Sequence, residues 1–192
     1  MDPNLAAIIG GLAELVGGLV SLPLTDIVGR KILLIVSGVI MGSSMGLLSC
    51  MFYLQEGGVA YIDPSYSSII STFTVGSVVL FYLGFAIGFA PIPMVLLGEV
   101  FSQQTKGLAT TISITILWIF SFVVSKLFFD FKDKFGNSGT FIWFAGFNFV
   151  AAAFVGKFVS ETKGKTFTEI KALYASKSDH SGSSVKILNL QI

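Results

Sequence analysis

Polar and apolar residues are segregated along this chain in long blocks. No Asp, Glu, Lys, Arg or His interrupts Ile32–Leu54, Pro64–Gly98, Gly107–Ser125 or Phe135–Gly156, and a fifth block, Leu5–Leu24, carries only Glu14. A helix of roughly 20 apolar residues crosses the ~30 Å hydrocarbon core of a bilayer. Each block meets that length, the first at its limit. In lipid the backbone must satisfy its own N–H and C=O groups, so the blocks are predicted to be helices over 5–24, 32–54, 70–98, 107–129 and 139–158. The predicted fold class is all-α, a polytopic transmembrane helix bundle of five spans. Residues 1–175 make up the bundle, and 176–192 form a polar tail expected to be disordered. A soluble helical core is excluded, because five such blocks in succession leave almost no chain to coat them.

Three features inside the blocks carry further information. The third block is longer than a span requires: 30 residues from Ile69 to Gly98 extend about 45 Å as a helix. Pro91 and Pro93 fall in its last third, where a missing N–H and a steric clash predict a break near Ala90. A Pro-x-Pro pair preceded by Gly84 and Gly88 favours a break that lines a cavity. The second block carries Gly38, Gly42 and Gly46, a stripe that lets a neighbouring helix approach closely. Glu14 sits mid-span, where a charge costs about 2.5–3.5 kcal/mol, so an interior position is expected for it, facing a polar ligand, a neighbouring helix or water.

Charge sets the orientation. Segments on one side of the predicted spans hold Arg30, Lys31, Lys106, Lys157, Lys163, Lys165, Lys171, Lys177 and Lys186; the other side holds only Lys126, Lys132 and Lys134. Nine basic residues against three place the first side in the cytoplasm, with the C-terminus inside and the N-terminus outside. Asp26 and Arg30, Glu99 and Lys106, and Glu161 with Lys163 then lie at three neighbouring helix ends on that face. Exposed ion pairs are worth about 0–1 kcal/mol each, enough to bias a gate without freezing it. The alternative, that these charges only mark topology, stays open.

Composition narrows the functional classes. Only 12% of residues are charged, about half the usual share, and the net charge of +1 points to no nucleic-acid partner. Cys50 is the single cysteine, expected to be a packing residue, and His180 the single histidine, so neither a disulfide within the chain nor a histidine metal site is expected. No metalloprotease helix, phosphate loop or nucleophile–base set occurs, so no cofactor and no enzymatic activity are expected. The N-terminus lacks a basic region before its first block and does not read as a cleaved signal peptide.

Four motifs, in order and at family spacing, resemble the sugar-porter branch of the major facilitator superfamily, and within it the insect facilitated trehalose transporters. Asp26-Ile27-Val28-Gly29-Arg30-Lys31 resembles the D-x-x-G-R-R/K turn. Gly88-Phe89-Ala90-Pro91-Ile92-Pro93 resembles G-x-G-P-I-P, Gly98-Glu99 through Lys106-Gly107 resembles the G-E-…-R-G turn, and Glu161-Thr162-Lys163-Gly164 resembles the P-E-T-K-G tail. The resemblance implies that the five spans are helices eight to twelve of a twelve-helix carrier, a partial C-terminal half without helix seven and its sugar-binding Gln-Gln-x-Ser-Gly segment. It implies a sugar substrate, facilitated diffusion by alternating access in the full-length form, and a multi-pass location in the plasma membrane, with this chain a truncated and inactive piece. Proton-coupled transport using Glu14, and a non-transporting protein that associates with other transporter chains in the bilayer, are the alternatives. Trp118 matches a family Trp, and Glu14 stands where the family has Asn; these two are the expected substrate contacts. Met94 for Trp, Leu117 for Asn, Ser160 for Pro and Lys106 for Arg depart from the pattern.

Overall fold

The computed structural model describes residues 3–56, 67–101, 103–165 and 169. Every regular element among them is a helix: α1 Pro3–Val28, α2 Arg30–Gln55, α3 Ser67–Gly84, a π segment Phe85–Phe89, α4 Ile92–Val100 and α5 Gln103–Phe158. Four stretches are long and apolar enough to cross a membrane: Ala7–Val28, Arg30–Gln55, Ser68–Glu99 and Gln104–Phe158. The last has 55 residues, about 80 Å as a straight rod, yet it is not straight. Gly136 takes φ 70° and ψ −178°, outside the helical range. Rings from its two sides meet, with Phe128 and Phe144 centroids 6.1 Å apart and Phe131 and Trp143 6.3 Å apart. Thus α5 is a hairpin of two arms, 103–135 and 137–158. A loop was expected over 130–138; instead helix runs to a single turning residue, which the positive φ reserves for glycine. Most of the connection between α2 and α3, and the tail 176–192, lie outside the described residues.

The interior mixes apolar residues with small hydroxyl side chains, and the surface is apolar. The most deeply buried side chains are Ile92, Thr140, Ser21, Ser37 and Ser44, while Leu22, Trp118, Phe122 and Phe129 are each more than 60% exposed. A soluble fold buries the second group and leaves serines and threonines mostly exposed. With lipid as solvent, close van der Waals packing and interhelical hydrogen bonds hold helices together instead. The central element is α2, packed on α5, α3 and the π segment, while α1 lies against α3 and the π segment. Small residues set these approaches. A Cβ on Gly38 would lie 3.0 Å from the Ala152 Cβ, and one on Gly42 3.0 Å from the Phe149 ring. Gly46 has nothing within 4 Å, so the predicted stripe is close-packed at two of its three glycines. A second stripe was not apparent from the sequence: on α1, Gly10 seats Tyr82, Gly17 seats Ala86, and Ala13 is buried between them. Cys50, expected to pack, is exposed.

One apolar cluster, Leu33, Leu34, Ile92 and Val155, lies near the turn between α1 and α2 and unites α2, α4 and the second arm of α5. The first arm of α5 is exposed along nearly its whole length.

Candidate functional site

The α1–α2 turn is a single residue. Gly29, at φ 101° and ψ 151°, reverses the chain between Val28 and Arg30. The C-terminal carbonyls of one helix and the N-terminal amides of the next, all without partners inside their own helices, are thereby brought side by side. The segment after α5 crosses this junction and meets both. Glu161 Oε1 accepts from the Arg30 backbone N–H at 3.0 Å, and Oε2 from that of Lys31 at 3.1 Å. Lys163 donates its own backbone N–H to Glu161 Oε1 at 3.0 Å and its ammonium to the Ile27 carbonyl at 2.5 Å. An anion thus caps the positive end of α2 and a cation the negative end of α1, each matched to the helix dipole. Burial pushes the Glu161 carboxyl up, but the backbone amides of Lys163, Lys31, Arg30 and Thr162 outweigh it and hold the carboxyl below its usual 4.5. Gly29 is required twice: its φ is left-handed, and a Cβ there would lie 2.7 Å from Glu161 Oε2.

Beside this strap, Arg30 Nη2 donates to Glu99 Oε1 at 2.9 Å, with side chains only 15% and 23% exposed. Asp26, 79% exposed, stands 3.6 Å from the same nitrogen. The expectation of weak exposed pairs fits Asp26 but not Glu99, which shares a largely shielded pair. That pair closes one side of the guanidinium fork only, since Arg30 Nε and Glu99 Oε2 are buried without partners. Lys106 joins no ion pair among the described residues; its ammonium rests 3.3 Å from where a Cβ on Gly98 would be. The structure therefore brings Asp26, Arg30, Glu99 and Glu161 together at one bundle end and leaves Lys106 beside them, in no ion pair among the described residues.

The predicted break lies between the π segment and α4. Ala90 N–H bonds the Phe85 carbonyl at 3.0 Å, five residues back. Two buried hydroxyls from neighbouring helices reach this segment: Ser37 donates to the Gly84 carbonyl at 2.5 Å and Ser21 to that of Ile87 at 2.7 Å. Beyond the break, Pro93, Met94, Leu97, Ser113 and Leu117 help line an apolar groove of about 490 Å³ between α4 and the first arm of α5. Trp118, next to Leu117, is 68% exposed. Glu14 is exposed on α1, so the interior position expected of it is not found among the described residues. The packing face of α1 is taken by Gly10, Ala13, Gly17 and Ser21, and Glu14 lies off that face.

The far end of α2 is also tied. Glu56 Oε1 accepts from the Asn137 side-chain amide at 2.8 Å and backbone N–H at 3.3 Å, capping the second arm of α5. Ser49 and Ser138 exchange hydroxyl-to-carbonyl bonds of 2.7 and 3.0 Å. Because Glu56 is exposed, we expect Glu56→Ala to cost only about 0.5–1 kcal/mol. A thermal midpoint in nanodiscs checks this, and a larger loss would make the hairpin cap a principal support. Sequence reasoning missed Ser21, Ser37, Ser49 and the Glu56–Asn137 cap. The available signal was a serine inside an apolar block, where lipid offers its hydroxyl no partner.

The family model described as "Sugar (and other) transporter" matches residues 1–174, which include every residue of the junction, the break and the groove. The chain belongs to this sugar transporter family. The facilitated trehalose transporter Tret1 of Drosophila willistoni is 34% identical over 171 residues, 89% of this chain and 19% of the fly protein. Tret1 of Bombyx mori is also 34% identical, over 89% of this chain and 33% of its own length. The chain therefore spans about a fifth to a third of the length of these relatives. Among solved structures, a double-Trp mutant of XylE has a TM-score of 0.74 at 29% identity, covering 88% of this chain and 34% of XylE. Inward-open XylE from E. coli gives 0.72 at 29%, with 88% and 35% coverage. The proton:xylose symporter XylE bound to 6-bromo-6-deoxy-D-glucose gives 0.70 at 28%, with 88% and 34% coverage. These members of the family are transporters, not enzymes, and the fold of this chain is that of a multi-pass major facilitator bundle.

Proposed function

We propose that this chain supplies part of a sugar path that works by alternating access, with a hexose or trehalose as substrate. The observation that carries the reading is the junction: Arg30, Glu99 and Glu161, from three separate motifs, meet at one bundle end within hydrogen-bond distance. A cluster that joins three helix ends by a few polar contacts suits a gate that must both hold and release. The same reading takes five spans, with the C-terminus and the junction in the cytoplasm and the N-terminus outside; the charge count and the two arms of α5 support it. The plasma membrane is the proposed location. Glu14 and Trp118 are the proposed sugar contacts, and both are on open faces. For that reason the 192 residues alone are proposed not to transport.

The test has two arms. Residues 1–174 replace the matching segment of the Bombyx mori relative, and the chimera is reconstituted in vesicles beside the 192-residue chain. The chimera should show saturable uptake of radiolabelled trehalose or glucose, and the chain alone should match empty vesicles. A chimera that reaches the membrane and takes up neither sugar would defeat the transport reading. Saturable uptake by the chain alone would defeat the partial-path reading. Proton coupling is the second reading, favoured by the carboxyl of Glu14 and by the likeness to a proton:xylose symporter. Under it, uptake by the chimera rises with an inward proton gradient, and Glu14→Gln removes that dependence.

A further inference from the structure

The break before α4 has a carbonyl without a backbone donor built into it. In α register the donor to the Ile87 carbonyl is residue 91, and Pro91 has no N–H to give; the bonds across the break, from Ala90 N–H to the Phe85 carbonyl and from Val95 N–H to the Pro91 carbonyl, do not reach it either. In lipid no water takes its place, and a buried carbonyl without a donor is costly. The hydroxyl that serves this carbonyl comes from another helix: Ser21 of α1, only 1% exposed, donates to the Ile87 carbonyl at 2.7 Å. Its seat is prepared on both sides. Gly17, one turn earlier on α1, lies so close to Ala86 that a Cβ there would be 2.7 Å from the Ala86 Cβ. On the other flank Ser37 of α2 holds the Gly84 carbonyl, and Gly88 presses against Ser37.

We infer that Ser21 is a positioning residue for α4: its hydroxyl replaces the N–H that Pro91 lacks, so that the helix break is completed by α1 and not by the broken helix itself. The consequence is mechanical. Met94 on the groove wall and Glu99 at the junction both ride on α4, directly beyond the break. A displacement of α1 therefore pulls on the point from which α4 pivots. The bond and the pivot hold whatever the chain transports.

The pairing predicts a specific non-additivity. In the 192-residue chain in nanodiscs, Ser21→Ala should lower the thermal midpoint by about 4–6 °C, because it strands the Ile87 carbonyl. In a Pro91→Ala background the restored backbone N–H can serve that carbonyl, and the same Ser21→Ala change should then cost no more than about 1 °C. If Ser21 merely fills space, it costs the same in both backgrounds, and the inference fails. A second measurement needs no proline variant. Labelling Ile at the carbonyl carbon and Gly at nitrogen selects two pairs in this sequence, Ile87-Gly88 and Ile9-Gly10. In Ser21→Ala the Ile87 carbonyl resonance should move upfield while Ile9 stays fixed, and Ser21→Cys, a weaker donor of similar size, should give an intermediate shift. An unmoved Ile87 carbonyl overturns the inference even where Pro91→Ala does not fold.

Discussion

Gly88→Ala should be among the most damaging single methyl additions to this chain, with an expected loss of about 3–5 kcal/mol. The added Cβ would overlap the Ser37 Cβ outright, and would lie 2.7 Å from the Ser37 Oγ and 3.0 Å from the Leu33 carbonyl oxygen. None of these atoms is the free end of a flexible side chain; two belong to a short serine pinned by its hydrogen bond, and the third is helix backbone. Relief requires α2 and the π segment to separate, which breaks the Ser37–Gly84 bond and opens the contact around Leu33 and Ile92. The control is a glycine of the same chemistry in open space. An added methyl at Gly11 or Gly146 would meet nothing within 4 Å, and there alanine should be neutral or stabilise by up to about 1 kcal/mol through helix propensity. Thermal midpoints of the three variants in nanodiscs decide it. Equal midpoints for Gly88→Ala and Gly11→Ala would refute the close approach of α2 to the π segment.

Glu161→Gln should cost about 1–3 kcal/mol at neutral pH, because a neutral amide cannot serve as a charged acceptor for amides on both sides of the junction. The effect should depend on pH with a definite sign. The folded-state carboxyl titrates below its usual 4.5, because backbone amides favour its ionised form more than burial disfavours it. Its contribution is therefore fully present above about pH 4.5 and is lost as pH falls through the lower, folded-state value. The difference in midpoint between the native chain and Glu161→Gln should be flat from pH 7 to about 5 and shrink below that. A difference that is unchanged down to pH 3 would mean that the carboxylate charge plays no part in the strap.

The sequence made the helices legible because lipid imposes one rule on every span, and block length reports it directly. The break at Pro91 was equally visible, since proline acts on its own backbone wherever it sits. The location of the charged cluster was readable as well, because Asp26, Arg30, Glu99 and Glu161 all stand just beyond apolar blocks. What sequence could not resolve was which atoms pair. Glu99 and Glu161 both read as partners for the Arg30 guanidinium; it goes to Glu99, and Glu161 instead binds the backbone amide of Arg30. Opposite charges along a chain suggest side-chain pairs, whereas a one-residue turn at Gly29 exposes backbone groups that compete for the same anion. The hairpin at Gly136 was blurred for a related reason: Asp130, Lys132, Asp133 and Lys134 look like loop residues but continue a helix that protrudes past the apolar stretch. The serines of α1 and α2 stayed hidden because their role depends on a carbonyl many residues away.

The strap across the α1–α2 turn also has a consequence for biosynthesis. Gly29 leaves the ribosome long before Glu161, and α2 to α5 are made in between. Until residues 161–163 emerge, the amides of Arg30 and Lys31 and the carbonyl of Ile27 lack the partners they have in the finished fold. The α1–α2 turn is thus sealed by a segment made only after α5 is complete. A stop just after Phe158 would leave α1 to α5 in place and that turn open, a species that membrane quality control would distinguish by its unsealed end alone.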